Sequence, residues 1–127
     1  MLIFRQLLAV AFFTGVTRME IKHKIWLESG GRVIFGPGRD GLLKAVDELR
    51  SLNAAAKKLK MSYRAAWGRI KASEERLGIK LVEMDSVKHG MHLTREAKEL
   101  IDRFDQIESD IKRILDKAQT TLPIKRS

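Results

Sequence analysis

The chain has 127 residues, a formal net charge of +9 and an isoelectric point near 10.1. It contains no cysteine, which excludes disulfides, thiolate chemistry and cysteine-based zinc sites. A hydrophobic fraction of 44% beside a charged fraction of 32% is typical of one small globular domain with its own core. The strong positive charge favours a polyanionic partner.

Residues 1–18 are apolar and unlike the rest of the chain. They are too few to span a bilayer as a helix, so we expect no membrane partner. Three interpretations stay open: a signal peptide with Arg5 ahead of an apolar run, an extension upstream of a start at Met19, or an extra packing segment. Because no convincing cleavage site precedes Thr17, we favour the last two and treat 1–18 as an apolar N-terminal extension.

Short β-branched and aromatic runs at 23–28 and 32–35 flank a Ser-Gly-Gly turn and predict a β-hairpin. The glycines of Gly36–Arg39 lack the spacing and the Lys-Ser/Thr pair of a nucleotide-binding P-loop. They predict a turn into a first helix that is capped by Asp40 and ends near Leu49. The large apolar side chains of the hairpin are predicted to serve the core or an interface: Trp26, Val33 and Phe35.

Residues 53–78 predict a helix-turn-helix, in which a small alanine-rich helix crosses a second helix that carries basic and aromatic groups. Asn53 is the predicted N-cap of the first of these helices, and Ser62 caps the second. Lys60 stands in the turn, where a left-handed residue is needed and glycine is common. Gly78 is predicted to end the second helix.

Positive charge is concentrated on this stretch. Residues 57–80 hold eight basic residues against Glu74 and Glu75, a net charge of +6. Residues 94–118 hold six basic and seven acidic residues, a net charge of −1. The positive field is therefore predicted on the helix-turn-helix, and the two glutamates are interpreted as helix surface charge.

After the second helix, runs at 80–84 and 91–93 predict two strands joined by a short basic loop that holds Lys88 and His89. A strand, a basic loop and a strand that follow such a helix form a wing. A wing reaches the minor groove or the flanking backbone of DNA.

A long helix is predicted to begin at the cap Thr94 and to end near Gln119. Its apolar residues are spaced alternately four and three apart, as in the seam of a coiled coil. The seam consists of Leu100, Phe104, Ile107, Ile111, Ile114 and Ala118. Since so small a domain cannot bury the whole seam, we expect it to pair with the same helix of a second subunit.

Several short motifs follow one another in a definite order along the chain. They are Trp26-Leu27-Glu28, Phe35-Gly36-x-Gly38-Arg39 with Leu42-Leu43, Ala55-Ala56, Met61-Ser62-Tyr63-Arg64-x-Ala66-Trp67, Leu81-Val82-Glu83 and Leu93-Thr94. Together they resemble the N-terminal domain of the molybdate-responsive transcription regulator (ModE) family over about residues 19–115. The last two motifs are shared with LysR-type regulators.

The resemblance implies a winged helix-turn-helix and a dimer held by the long helix. The residues that it implies on the DNA-facing side of the second helix are Tyr63, Arg64, Trp67 and Lys71. Because the chain ends where the molybdate-binding domains of that family begin, we expect no such domain here. We therefore assign no small-molecule ligand.

The predicted fold is mainly α with small β: a winged helix-turn-helix with an N-terminal β-hairpin and a long C-terminal dimerisation helix. The predicted division is an extension at 1–18, a DNA-binding domain at 19–93, the dimerisation helix at 94–119 and a tail at 120–127.

The predicted function is that of a sequence-specific transcriptional regulator that binds double-stranded DNA as a homodimer in the cytoplasm. The residues predicted to contact DNA are Asn53, Lys57, Lys58, Ser62, Tyr63, Arg64, Trp67, Arg69, Lys71, Lys88 and His89. The alternative is a protein-interaction module that uses the winged helix as a scaffold, which a lack of salt-sensitive DNA affinity would favour.

An enzyme is not expected. The sequence shows no nucleophile–base pair, no carboxylate dyad in a plausible cleft and no cofactor loop. His89 and His92 have only His23 as a further histidine, so no metal or other cofactor is predicted.

Overall fold

The computed structural model describes residues 19–86 and 89–123, which form four helices and two antiparallel hairpins. In chain order the elements are β1 (Leu27–Ser29), β2 (Arg32–Phe35), α1 (Pro37–Leu49), α2 (Leu52–Lys58), α3 (Tyr63–Leu77), β3 (Val82–Ser86), β4 (Gly90–Leu93) and α4 (Arg95–Gln119). This order confirms the predicted fold class. The predictions for the extension at 1–18, for Lys88 and for tail residues 124–127 lie outside the described residues.

The N-terminal hairpin closes through a two-residue glycine turn. The glycines at 30–31 have φ angles of 58° and 78°, the left-handed values that a turn matching the strand twist requires. The first strand is shorter than the predicted 23–28. Leu27 pairs with Phe35, and the partner strand stops there because Pro37 already starts α1.

The start of α1 differs from the prediction, because the helix begins at Pro37 and Asp40 is not its cap. Proline suits the first helical position, since its fixed φ is helical and no N–H is needed there. Gly36 occupies the cap position in an extended conformation. Asp40 lies inside the first turn, buried, and accepts a hydrogen bond from Lys44 Nζ at 2.9 Å.

The turn between α2 and α3 has the predicted left-handed residue. Lys60 has a φ of 56°, which for a residue with a Cβ costs about 1 kcal/mol. The N–H of Met61 donates to the carbonyl of Ala56 at 3.0 Å and holds the turn closed.

The cap of α2 is Ser51, so the prediction of Asn53 was wrong. Ser51 follows the end of α1 in an extended conformation, and its hydroxyl accepts from the N–H of Ala54 at 3.1 Å. Asn53 is consequently an exposed residue within the helix. The caps of α3 are confirmed: Ser62 accepts from a backbone N–H at 3.0 Å, and Gly78 ends the helix with a φ of 71°.

The core lies where both hairpins and the four helices meet within residues 24–108. Its fully buried members include Phe35, Leu42, Leu43, Val46, Ala55, Ala56, Ala66, Ile70, Leu81 and Phe104. Phe35 and Phe104 pack edge to face, with ring centroids 4.9 Å apart. The alanines of α2 and α3 let these helices approach closely, which sets the position of α3.

The wing is attached to the body by backbone hydrogen bonds. The N–H of Met91 donates to the carbonyl of Arg50 at 2.9 Å. A Cβ added to Gly90 would lie only 2.2 Å from that carbonyl oxygen, so glycine permits the contact. Thr94 caps α4 through the N–H of Ala97 at 3.1 Å, and its own hydroxyl donates to the carbonyl of Lys80 at 2.7 Å.

A second unit contains residues 19–23 and 109–123. In it the N–H of Ile21 donates to the side-chain oxygen of Gln119 at 2.9 Å. Within the described ranges, no helix is long and apolar enough to cross a membrane.

Candidate nucleic-acid interface

The helix α3 separates a buried face from an exposed one, as the sequence predicts. Ala66 and Ile70 are buried in the core, whereas Tyr63 is 52% exposed and Arg64 is also exposed. The hydroxyl of Ser73 donates to the carbonyl of Ile34 at 2.7 Å and fixes the rotation of the helix against β2. The N-terminal half of α3 therefore presents its polar side chains to solvent.

On one side of α3, the ammonium group of Lys71 interacts with two neighbouring side chains. Lys71 Nζ lies 4.5 Å from the ring centroid of Trp67 and 3.2 Å from a carboxylate oxygen of Glu74. Trp67 is half-buried beneath it. We call Trp67, Lys71 and Glu74 the paired flank of α3.

Glu74 is not a surface charge, contrary to the interpretation from the sequence. Its side chain is 9% exposed, and one carboxylate oxygen accepts the N–H groups of Leu81 and Val82 at 2.8 and 3.4 Å. Burial raises the pKa of this carboxyl, but the bonds from Leu81, Lys71 and Val82 together outweigh it and lower the pKa. Glu74 thus ties α3 to the first strand of the wing, and β3 begins at Val82 instead of the predicted Lys80.

On the other side of α3 lie Arg69 and Arg76, which we call the open flank. Among the described residues neither forms an ion pair with a carboxylate. Arg76 Nη1 donates to the carbonyl of Val33 at 2.6 Å, so this flank faces the N-terminal hairpin. Arg69, which the sequence predicts as a DNA contact, therefore lies on a different side of α3 from Trp67 and Lys71.

The lysines of α2 differ in their surroundings. Lys57 is exposed, and Lys58 Nζ lies 3.1 Å from a carboxylate oxygen of Glu48. This pair is itself exposed, so it contributes little to stability and is readily exchanged for another anion. Asn53 and Ser62 lie near the starts of α2 and α3, and only Ser62 caps a helix.

At the wing, His89 is exposed, and its backbone N–H donates to the hydroxyl of Ser86 at 3.0 Å. His92 Nε2 lies 3.1 Å from a carboxylate oxygen of Glu83 on the paired strand. Within the part of the chain that the structure describes, no three His, Cys, Asp or Glu side chains are grouped as metal ligands.

The apolar seam of α4 is divided between core and surface. Phe104 is 2% exposed and packs on Phe35 within the protomer, so it is not available to a second subunit, contrary to the prediction. Ile107 and Ile114 are 43% and 65% exposed. The remaining seam residues are half-buried: Leu100, Ile111 and Ala118.

Residues 41–98 match the family model described as bacterial regulatory helix-turn-helix protein, lysR family. Comparison with curated proteins found no match. Among solved structures, the chain is similar to the CbnR DBD in complex with DNA, with 25% identity and a TM-score of 0.53 over 66% of this chain and 94% of that one.

Two further structures show the same likeness. CbnR, a LysR family transcriptional regulator, is 26% identical with a TM-score of 0.51, over 65% of this chain. This chain spans only 28% of the CbnR chain. The BenM DBD in complex with benA site 1 DNA is 24% identical with a TM-score of 0.52, over 66% of this chain and 92% of that one, and it shows the shared fold. Residues 41–98 thus match the helix-turn-helix of LysR-family regulators, and the chain shares the fold of the CbnR DBD.

Proposed function

We propose that this chain is a sequence-specific transcriptional regulator that binds double-stranded DNA as a homodimer. The observation that carries the proposal is the exposed N-terminal half of α3, which presents Tyr63 and Arg64 beside Trp67 and Lys71. A helix that displays basic and aromatic side chains beyond a helix-turn-helix turn is suited to the major groove. The related CbnR and BenM domains were determined as complexes with DNA, which supports the same role here.

In the proposed complex, affinity and specificity come from different residues. Lys57, Lys58, Arg69 and Lys88 neutralise phosphates, and this part of the binding is sensitive to salt. His89 of the wing is a further DNA contact. Arg64 reads the base sequence, because a guanidinium donates two parallel hydrogen bonds to guanine. Tyr63 and Trp67 contact the sugar–phosphate backbone or thymine methyl groups.

The proposed dimer pairs α4 of two subunits. Ile107 and Ile114 lie two helical turns apart on one side of α4 and expose apolar surface. Pairing them across a twofold axis removes this surface from water and places two α3 helices on successive major grooves. The binding site is therefore expected to be a pseudo-palindrome.

Three narrower predictions belong to the same proposal. The Ser62-Tyr63-Arg64-x-Ala66-Trp67 run supports kinship with the molybdate-responsive regulators within the LysR-type fold. The division into a DNA-binding domain at 19–93 and a dimerisation helix at 94–119 is retained. The proposed site of action is the cytoplasm, where a bacterial regulator meets DNA.

Selection from a pool of random duplexes tests DNA recognition. The full chain is expected to enrich one pseudo-palindromic sequence and to bind it with an affinity that falls steeply as salt is raised. A flat salt dependence and no enriched sequence would contradict the proposal and favour the protein-interaction module.

Sedimentation of the full chain tests the dimer separately. The wild type is expected to sediment as a dimer, and the double substitution Ile107→Lys and Ile114→Lys as a monomer, since it places charges in the apolar contact. The matched control replaces the exposed Lys98 and Glu99 by alanine and leaves the dimer intact. A wild-type monomer at micromolar concentration would contradict the proposed dimer.

A further inference from the structure

A cavity of about 330 Å³ lies between the N-terminal hairpin, the start of α1 and the open flank of α3. Its cationic lining residues are Lys24, Arg39 and Arg69, and the remainder of the wall is formed by Trp26, Val33 and Gly36–Gly38. Among the residues that the structure describes, no carboxylate lines the cavity. The three cations come from three different parts of the chain, and the fold brings them together.

The described part of the chain supplies no neutralising partner for these cations. Among the described residues, Lys24, Arg39 and Arg69 form no ion pair with Asp or Glu. Glu28, on the same hairpin, accepts the indole N–H of Trp26 at 2.8 Å. The Nε–H of Arg39 is shielded from solvent and donates to no described acceptor. A charged donor in that condition lacks a hydrogen bond that an anion supplies.

The repulsion within the cluster points the same way. Burial of the Arg39 guanidinium lowers its pKa, and the positive charges of Arg76 and Arg69 lower it further. An anion in the cavity would offset this repulsion.

Gly36 permits a close approach at the wall of the cavity. A Cβ on Gly36 would lie 3.2 Å from Cβ of Trp26. Glycine at this position therefore lets the segment that carries Trp26 approach the start of α1 closely. A Cβ on Gly38 would lie 3.9 Å from Nη1 of Arg69, an ordinary van der Waals distance, which places the helix start beside that guanidinium. Because Gly36 offers no side-chain cap and Asp40 N–H already donates to the carbonyl of Gly36, the first-turn N–H groups without a partner inside α1 are those of Gly38 and Arg39.

We propose that this cavity binds a phosphoryl oxyanion, through bonds from Arg39, Arg69 and Lys24, either as free phosphate or as a phosphodiester of bound DNA. The volume lies at the lower end for ligand pockets, about 300–1,000 Å³, which suits one small anion better than a dinucleotide. Guanidinium groups donate bidentately to phosphate, and this chemistry selects the anion. Arg64 does not line the cavity, so the site is independent of base reading.

The first experiment uses the ¹⁵N-labelled full chain and titrates it with inorganic phosphate and pyrophosphate against chloride at equal ionic strength. The two indole N–H signals report Trp26 and Trp67 separately, once Trp26→Phe has assigned them. We expect saturable shifts at the Trp26 indole and at the Gly38 amide, and none at Trp67. Arg39→Gln is expected to weaken this binding at least about tenfold. Arg39→Lys, which keeps the charge but not the two parallel donors of the guanidinium, is expected to weaken it less.

The second experiment measures the salt dependence of binding to a non-specific duplex. If the anion is a DNA phosphate, Arg39→Gln lowers the slope of log affinity against log salt by about one. The matched control Arg32→Gln removes the same charge from exposed β2 outside the cavity and leaves the phosphate titration unchanged.

Together the two experiments decide whether the site exists and whether its anion is free phosphate or a phosphate of DNA. Phosphate shifts with an unchanged slope assign a free anion, and a lower slope assigns the DNA backbone. The proposal would be overturned if neither phosphate nor pyrophosphate shifts the wild-type signals and if Arg39→Gln has the same slope of log affinity against log salt as the wild type. The anion titration uses the wild type, so its result does not depend on how a variant folds.

Discussion

The two flanks of α3 hold their basic side chains in opposite ways. On the paired flank, Lys71 is fixed by Glu74 and by the ring of Trp67. On the open flank, Arg69 and Arg76 have no described carboxylate partner and share a region with Arg39, whose pKa they lower. The comparison shows that the formal charge of a helix is larger than the positive charge that an anionic partner can contact. Charge available to an anion depends on which cations the fold leaves unpaired.

The largest expected effect concerns Glu74, the residue that makes the paired flank. Glu74→Ala removes the acceptor of two backbone N–H groups and of Lys71, so we expect a loss of about 2–4 kcal/mol in the free energy of unfolding. Urea denaturation measures it. The exposed neighbour Glu75→Ala is the control and is expected to change stability by less than about 0.5 kcal/mol. Equal effects of the two substitutions would show that Glu74 is merely another surface charge.

The same carboxylate predicts how stability depends on pH. Because the folded pKa of Glu74 lies below the ordinary value of 4.5, its contribution is present above that value and is lost as the pH falls through the folded pKa. We expect the wild type to lose more stability than Glu74→Gln over this acid range. Thermal denaturation at a series of pH values provides the comparison, and parallel curves would contradict it.

A smaller effect distinguishes the flanks in DNA binding. Arg69→Gln is expected to lower the salt slope for a non-specific duplex by about one, because its charge is free to meet a phosphate. Lys71→Gln is expected to lower it by less than half as much, since Lys71 must leave Glu74 to contact the backbone. Filter binding over a range of salt concentrations gives both slopes. The reverse order would break the distinction between paired and open cations.

The smallest expected effect concerns a pair on the neighbouring helices. Glu48→Gln releases Lys58 and is expected to raise non-specific DNA affinity by about two- to fivefold, in line with the modest energy of an exposed ion pair. The control Glu99→Gln makes the same change of net charge at another exposed pair, with Arg95. Fluorescence anisotropy compares the two variants. An equal rise for both would mean that only the net charge matters.

What the sequence predicted well depends on interactions close in the chain. The caps Ser62, Gly78 and Thr94 act on the turn next to them, and the spacing of Ala66 and Ile70 places both on one side of a helix. The left-handed Lys60 was also expected from its position alone. Such local signals were sufficient for the fold class and for the exposed half of α3.

What the sequence did not reveal depends on residues far apart. Ser51 and Asn53 are both good caps, and only the end of α1 decides between them. Glu74 looks like surface charge until the chain after Gly78 returns to it. A buried role could have been suspected from a carboxylate within the last turn of a helix that is followed at once by a strand.

The cavity shows the same limit. Arg39 and Arg69 lie thirty positions apart, and no local pattern pairs them. The sequence assigned Gly36–Arg39 to a simple turn because P-loop spacing was missing. Phe104 was likewise placed on the dimer seam, since periodicity shows which side of a helix a residue occupies and not what covers it.

The most direct test of the central claim, that α3 reads DNA sequence, is the affinity of Arg64→Ala for the selected duplex and for a scrambled one. We expect the affinity for the selected duplex to fall by about 1–3 kcal/mol and the affinity for the scrambled duplex to change little, so that their ratio shrinks. An equal loss on both duplexes would contradict base reading by Arg64 and reduce its role to that of a phosphate contact.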